Sequence, residues 1–267
     1  MKRPLVSDEL WKAIEPLLPE HTPSPRGGRP RADERACLGG IIFVLRSGIP
    51  WEMLPQEMGC GCGMTCWNRL HEWQEAGVWE KLHSVLLNKL GEAARIDWDR
   101  ASIDASSVPA PAGGKDTGPN PTDRGKQGTK RHIVVDKQGV PLAVKSTAAN
   151  VNEGTQLTDT IEKIPPIHGP RGRPRRHPRK LDADKGYDSA SNRRELRKRG
   201  IVPRIARRGI ESPERLGRYR WVIERTISWF NRFRRLRVRY ERRADIYAAF
   251  LMLAAALITG NFLSPYH

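Results

Sequence analysis

From residue 101 onward, strand and helix signals follow one another in an order that few folds can accommodate. ASIDASSV (101–108) is β-like but carries one carboxylate, Asp104. RHIVVD (131–136) and VPLAVKS (140–146), separated by Lys137-Gln138-Gly139, read as a β-hairpin. Asn152 is placed to cap a helix running to Ile164, and LDAD (181–184) is a short strand. Ser189 caps a basic helix that stops at Gly200, and 201–206 supplies the last strand before two final helices. An antiparallel hairpin followed by crossover helices predicts a mixed α/β sheet flanked by helices. The Gly/Pro/Asp-rich stretch 110–127 reads as a loop.

The first third of the chain is of another kind. Helical periodicity over 7–18, 33–46, 64–74 and 78–90 is interrupted by Gly- and Pro-containing turns, with Ser7 as an N-cap. Short helices on tight turns suit a helix-turn-helix-like module, and equally a small bundle that never meets nucleic acid. Trp67, Trp73 and Trp79 are spaced for a core. The expected division is an all-α domain over 1–95 and an α/β domain over 96–267.

Charge divides the chain at the same place. Residues 1–95 hold 12 Lys+Arg and 12 Asp+Glu, whereas 96–267 hold the other 35 and 18, which is the whole net charge of +17. Clustered cations in one part of a chain suit a phosphate backbone as partner. The uncharged run IYAAFLMLAAALITGNFL (246–263) is short for a membrane span, Ala-rich and interrupted by Gly260 and Asn261, so a buried core helix is expected. No signal peptide is recognisable at the start, and the expectation is a soluble, cytoplasmic protein. Cys37, Cys60, Cys62 and Cys66 lack the paired spacing of a structural zinc site and read as free thiols.

GRYRWVIERTISWFNRFRRLRVRY (217–240) reads as one long helix, with Ile223, Ile227 and Phe230 on an apolar stripe. Its arginines surround a single carboxylate, Glu224. Glu224 is either a surface partner of Arg220, one turn earlier, or a metal-binding carboxylate on a helix that grips a polyanion. Asp104 in the first strand and Asp184 at the end of the fourth lie where α/β sheets form sites. Spacing alone does not separate Asp184 from Asp182. Three converging carboxylates would suit two hard divalent ions engaged in phosphodiester chemistry.

The segments IDASSV, GKQGTKRHIVVDKQGVPLAV, AANVNE, DADKGYDS and RWVIERTISWFNRFRRLRVRYE resemble a DDE transposase of the insertion-sequence family-five group. RGGRPRADERACLGGIIFVLRSGIPWEMLP and CWNRLHEWQEAGVW are similar to the helical domain of the same group, so the resemblance covers nearly the whole chain. It implies a ribonuclease-H-like catalytic domain behind a helical DNA-binding domain, with Asp104, Asp184 and Glu224 as catalytic, metal-holding residues. The D-K-G-Y-D context selects Asp184 over Asp182. Two Mg²⁺ or Mn²⁺ ions and no small-molecule cofactor are implied. The implied partner is double-stranded DNA, both element ends and target, held by a homodimer or larger synaptic complex at the nucleoid. Arg220, Arg225, Lys185, Lys126, Lys130, Arg232 and Arg69 are the expected DNA contacts. Family members carry a Tyr, Arg, Glu and Lys set around the helix glutamate; here Gly217 and Asn231 replace the Tyr and the Lys, with Tyr219 and Arg232 as the nearest substitutes. Two other readings stay open: a DNA-binding repressor without chemistry, and a stand-alone ribonuclease-H-like nuclease.

Overall fold

The computed structural model describes residues 4–21, 30–207 and 213–263, with backbone alone for 213–220. Helix α1 (Asp8–Ile14) starts where Ser7 Oγ accepts from the Leu10 N–H at 3.2 Å, and α2 (Glu34–Ser47) where Asp33 accepts from Ala36 at 2.7 Å. Helices α3 (Gly63–Glu75) and α4 (Val78–Glu92) are joined by Ala76-Gly77, and Gly77 at φ +68° makes the turn. This is the compact helix pair expected from the sequence.

The sheet comprises β1 (Ala101–Pro109), β2 (Gly118–Pro119), β3 (Gln127–Asp136), β4 (Pro141–Ala148), β5 (Lys180–Ala183) and β6 (Val202–Ile205). β3 pairs antiparallel with β1 on one side and with β4 and the short β2 on the other. β5 lies parallel to β1, and β6 parallel to β5. The mixed, ribonuclease-H-like sheet expected from the order of elements is therefore present. Helices α5 (Leu157–Glu162) and α6 (Ala190–Lys198) make the crossovers, and α7 (Pro213–Arg232), α8 (Arg234–Arg237) and α9 (Ala244–Asn261) end the chain.

Side-chain alternation sends the two sheet faces to two cores. Ala101, Ile103, Leu181 and Ala183 pack with Leu157 and Ile161 of α5 and Leu196 of α6. Val108, Ile133, Val135 and Val144 pack with Val222, Ile223 and Phe230 of α7, with α9, and with Leu38, Ile41, Trp73 and Leu82 of the amino-terminal helices. Phe250 and Leu253 of α9 are fully buried there, contributing about 1.5–3 kcal/mol each. α9 is long and apolar enough to cross a membrane, yet most of it is buried against α4, β4 and α3.

Three details differ from the sequence reading. The loop 110–127 holds the strand β2. The helix expected over 152–164 begins as a 3₁₀ turn, Glu153–Gln156, capped by Asn152, and becomes α-helical only over α5. The helix expected over 217–240 breaks at Phe233, whose backbone is extended. The reason is that two of its arginines serve the interior. Arg235 bonds Glu241 at 2.6 Å and the Ile49 carbonyl at 3.0 Å. Arg239 bonds Thr129 Oγ1 at 2.7 Å and the Asp116 carbonyl at 3.0 Å, and its own N–H reaches the Pro109 carbonyl. A straight helix would leave those cations in solvent and the carbonyls buried without them.

Candidate catalytic site

β1 and β5 run parallel with Ala101 opposite Leu181 and Ser102 opposite Asp182. The same register carried two residues further sets the position of Asp104 against that of Asp184, where β5 has ended. Asp104 alternates with Ile103 and so points to the face of Val108 and α7, as does Asp184 by alternation with Ala183. Asp184 caps the 3₁₀ turn Lys185–Tyr187, its Oδ1 accepting from Gly186 N at 2.8 Å. The two aspartates are thus held by backbone on adjacent strands. Asp182 is engaged elsewhere: Arg100 lies 3.2 Å from it, and burial raises its carboxyl despite that neighbour.

A further carboxylate joins them that sequence reasoning passed over. A Cβ at Gly186 would stand 2.0 Å from Glu153 Oε1 and 3.0 Å from Asp184 Oδ1, so both oxygens crowd one point. Tyr187 is fully buried beside them, and among the described residues its hydroxyl has no hydrogen-bond partner. Burial, and then the charges of Asp104, Glu153 and Asp184, push that phenol well above its usual range. The AANVNE segment held the signal, but its Asn-Glu was absorbed as a helix cap.

Glu224 stands on α7, exposed, between two anchors of that helix. Toward the hairpin tip, Thr226 Oγ1 donates to the Gly139 carbonyl at 2.9 Å and Arg225 donates to Gln138 O. Toward the other end, Arg131 donates to Asn231 Oδ1 at 2.9 Å and to Ser106 Oγ at 3.0 Å. Asn231 is seven residues from Glu224 and so shares its side of the helix. Ser106 shares the strand face of Asp104. The helix with Glu224 therefore lies over the face that carries the aspartates. Among the described residues no three His, Cys, Asp or Glu are gathered closely enough to hold a metal ion, so Glu224 is not drawn into the Asp104–Asp184 pair.

The donor set nonetheless fits a hard divalent ion. It is all carboxylate oxygen, and Mg²⁺ usually keeps several waters and takes only one or two carboxylates beside substrate phosphates. Two aspartates on adjacent strands meet that requirement.

The expected DNA contacts are spread over several elements. Lys126 and Lys185 are exposed. The Lys130 ammonium donates to the Val151 carbonyl at 2.8 Å. Arg225 is stacked between Trp221 and Trp229, 4.7 and 4.8 Å from their rings. Arg232 is exposed beside Trp229 and Phe262 at the rim of a cavity of about 290 Å³. Arg69, mostly buried, is 3.0 Å from Glu72, which also takes Arg31. Arg220 and Tyr219 lie outside the described residues. Asn231, at the position of the family's Lys, is occupied by Arg131. The four cysteines are free; Cys37, Cys60 and Cys66 are buried and Cys62 is exposed.

Residues 99–259 match the family model described as "Transposase DDE domain", and residues 6–83 match that of "Putative transposase of IS4/5 family". The chain is 58% identical over 147 residues to the "Putative transposase for insertion sequence element IS402" of Burkholderia cepacia, covering 55% of this chain and 70% of the relative. It is 51% identical over 125 residues to a 16.2 kDa protein of the same element, covering 45% of this chain and 84% of that one. Among solved structures, the Mos1 transposase paired-end complex with left transposon end aligns over 89% of this chain and 81% of that one, at 11% identity and a TM-score of 0.28, too slight a likeness to argue from. The first family model alone spans more than half of the sequence. The chain belongs to the DDE transposase family.

Proposed function

We propose that this transposase binds the terminal inverted repeats of an insertion sequence, cuts the element ends by metal-dependent phosphodiester hydrolysis, and joins the freed 3′-hydroxyl to target DNA by transesterification. The observation that carries the reading is the pair Asp104 and Asp184 on adjacent parallel strands, on the face covered by the helix of Glu224.

Asp104, Asp184 and Glu224 hold two Mg²⁺ or Mn²⁺ ions. When bound, these lower the pKa of the attacking water or 3′-hydroxyl and steady the leaving oxygen. The backbone N–H of Gly186 keeps the Asp184 carboxylate turned to the strand end. Glu224 approaches when DNA and ions bring α7 down on the sheet. Arg220, Arg225, Arg232, Lys126, Lys130 and Lys185 contact phosphates and fix register without reading sequence. Residues 1–95, Arg69 among them, form the domain that recognises the repeats, and 96–267 form the catalytic domain. Two ends must be cut together, so the working form is a homodimer or larger synaptic complex at the nucleoid.

A Mg²⁺-dependent nicking and strand-transfer assay on inverted-repeat DNA, wild type beside Asp184→Asn, tests this. Wild-type nicking at the element boundary, lost in the variant with DNA binding retained, is expected. Binding without nicking by the wild type would leave a repressor, and cutting indifferent to end sequence would leave a general nuclease.

A further inference from the structure

We propose that Glu153 is a fourth carboxylate of the divalent-cation site, coordinating an ion together with Asp184. The inference rests on the metal-site reading above and adds to it a residue from a separate part of the chain.

The argument starts from rigidity. Glu153 opens a 3₁₀ turn whose backbone is fixed on both sides of it. Val151 O accepts from Lys130 at 2.8 Å, and Gly154 O accepts from Asn192 Nδ2 at 2.9 Å. The same Asn192 amide donates to Tyr187 O at 2.9 Å, tying this turn to the one that Asp184 caps. A carboxylate mounted this way loses little conformational entropy on taking a ligand.

Gly186 supplies the second part. Its missing side chain leaves the space that Glu153 Oε1 and Asp184 Oδ1 share, since a Cβ there would meet them at 2.0 and 3.0 Å. Two carboxylates around one point repel each other unless a cation lies between or beside them.

The third part is Tyr187. A fully buried hydroxyl without a hydrogen-bond partner among the described residues is costly. This phenol sits within the influence of Asp104, Glu153 and Asp184 together. A hydrated ion held by those carboxylates carries water that can accept from the hydroxyl, which neither apolar packing nor DNA phosphate alone would provide.

The test measures Mn²⁺ binding to the full-length protein without DNA, by the electron paramagnetic resonance signal of free Mn²⁺, alongside thermal melts with and without the ion. Wild type, Glu153→Gln, Gly186→Ala and Asp184→Asn are compared. Glu153→Gln should weaken Mn²⁺ on the order of tenfold, a loss of the size seen when a ligand's support is removed. Its ion-free melting point should hold or rise, because one of two repelling charges is gone, and the rise on adding Mn²⁺ should shrink. Gly186→Ala should copy it by pushing the Glu153 carboxylate aside. If Asp184→Asn abolishes binding while Glu153→Gln and Gly186→Ala keep wild-type affinity, Glu153 is no ligand and the inference fails, leaving the metal site intact. A fall in the ion-free melting point of Glu153→Gln with an unchanged Mn²⁺ response would make Glu153 structural, and also overturns it. If wild type and Asp184→Asn bind alike, it is the underlying metal-site reading that fails.

Discussion

Arg131, buried in β3, donates to Asn231 at the last turn of α7 across 2.9 Å, and through Ser106 it is tied at once to the strand that carries Asp104. Strand and helix are thereby locked in one register. Replacing Asn231 by Ala removes the acceptor of a buried charged donor and should cost about 1.5–3 kcal/mol in urea unfolding. Because α7 also carries Glu224, the same variant should lose nicking rate more than its lost stability explains. Restoration of the Lys found in family members should not rescue it, since two cations would then face each other.

The acid side of the stability profile follows from two buried histidines. His83 donates from Nε2 to the Pro141 carbonyl at 2.8 Å, and burial lowers it to about 4. His132 is likewise brought to about 4, by burial and then by Lys130 and Lys145. A folded value below the unfolded one means that stability present above about 6.5 is lost as the pH falls toward 4, by roughly 3 kcal/mol for each histidine at most. Asp136 opposes them. Burial raises it to about 6 although backbone N–H groups of residues 97, 138 and 140 bond it, so its contribution is full below its unfolded value and is lost as the pH rises through 6. Urea midpoints at pH 7.5, 6 and 4.5 should show a moderate acid loss in the wild type, a shallower one in His83→Gln and a steeper one in Asp136→Asn.

Phosphate contacts are read from salt dependence. Lys126 and Lys185 are exposed, and each Lys→Ala change should lower the slope of log K against log salt by about 1 for inverted-repeat DNA. Equal weakening toward unrelated DNA is expected, because such contacts carry no sequence information. An unchanged slope would remove that lysine from the interface.

Much of this was legible in the sequence, and the reasons are physical. The strand order, the hairpin at Lys137-Gln138-Gly139 and the buried nature of α9 follow from local alternation and composition. The choice of Asp184 over Asp182 came with the D-K-G-Y-D resemblance, and the Arg100 contact of Asp182 agrees with it. What stayed hidden depends on remote partners. Arg235 and Arg239 look like surface cations until the carbonyls of residues 49, 115 and 116 come to meet them, which is why the helix break at Phe233 was unseen. Glu153 was hidden for the same reason, because its neighbour is a glycine on a different strand's exit turn.

The most direct test of the site replaces Mg²⁺ by Fe²⁺ in the DNA-bound protein and lets ascorbate and peroxide cut the polypeptide wherever the ion sits. Cleavage is expected in three separate clusters, around residues 104, 184 and 224, and their loss in Asp184→Asn. Cuts confined to one or two of these regions, with none near Glu224 even on inverted-repeat DNA, would contradict a shared site and with it the account of how this transposase works.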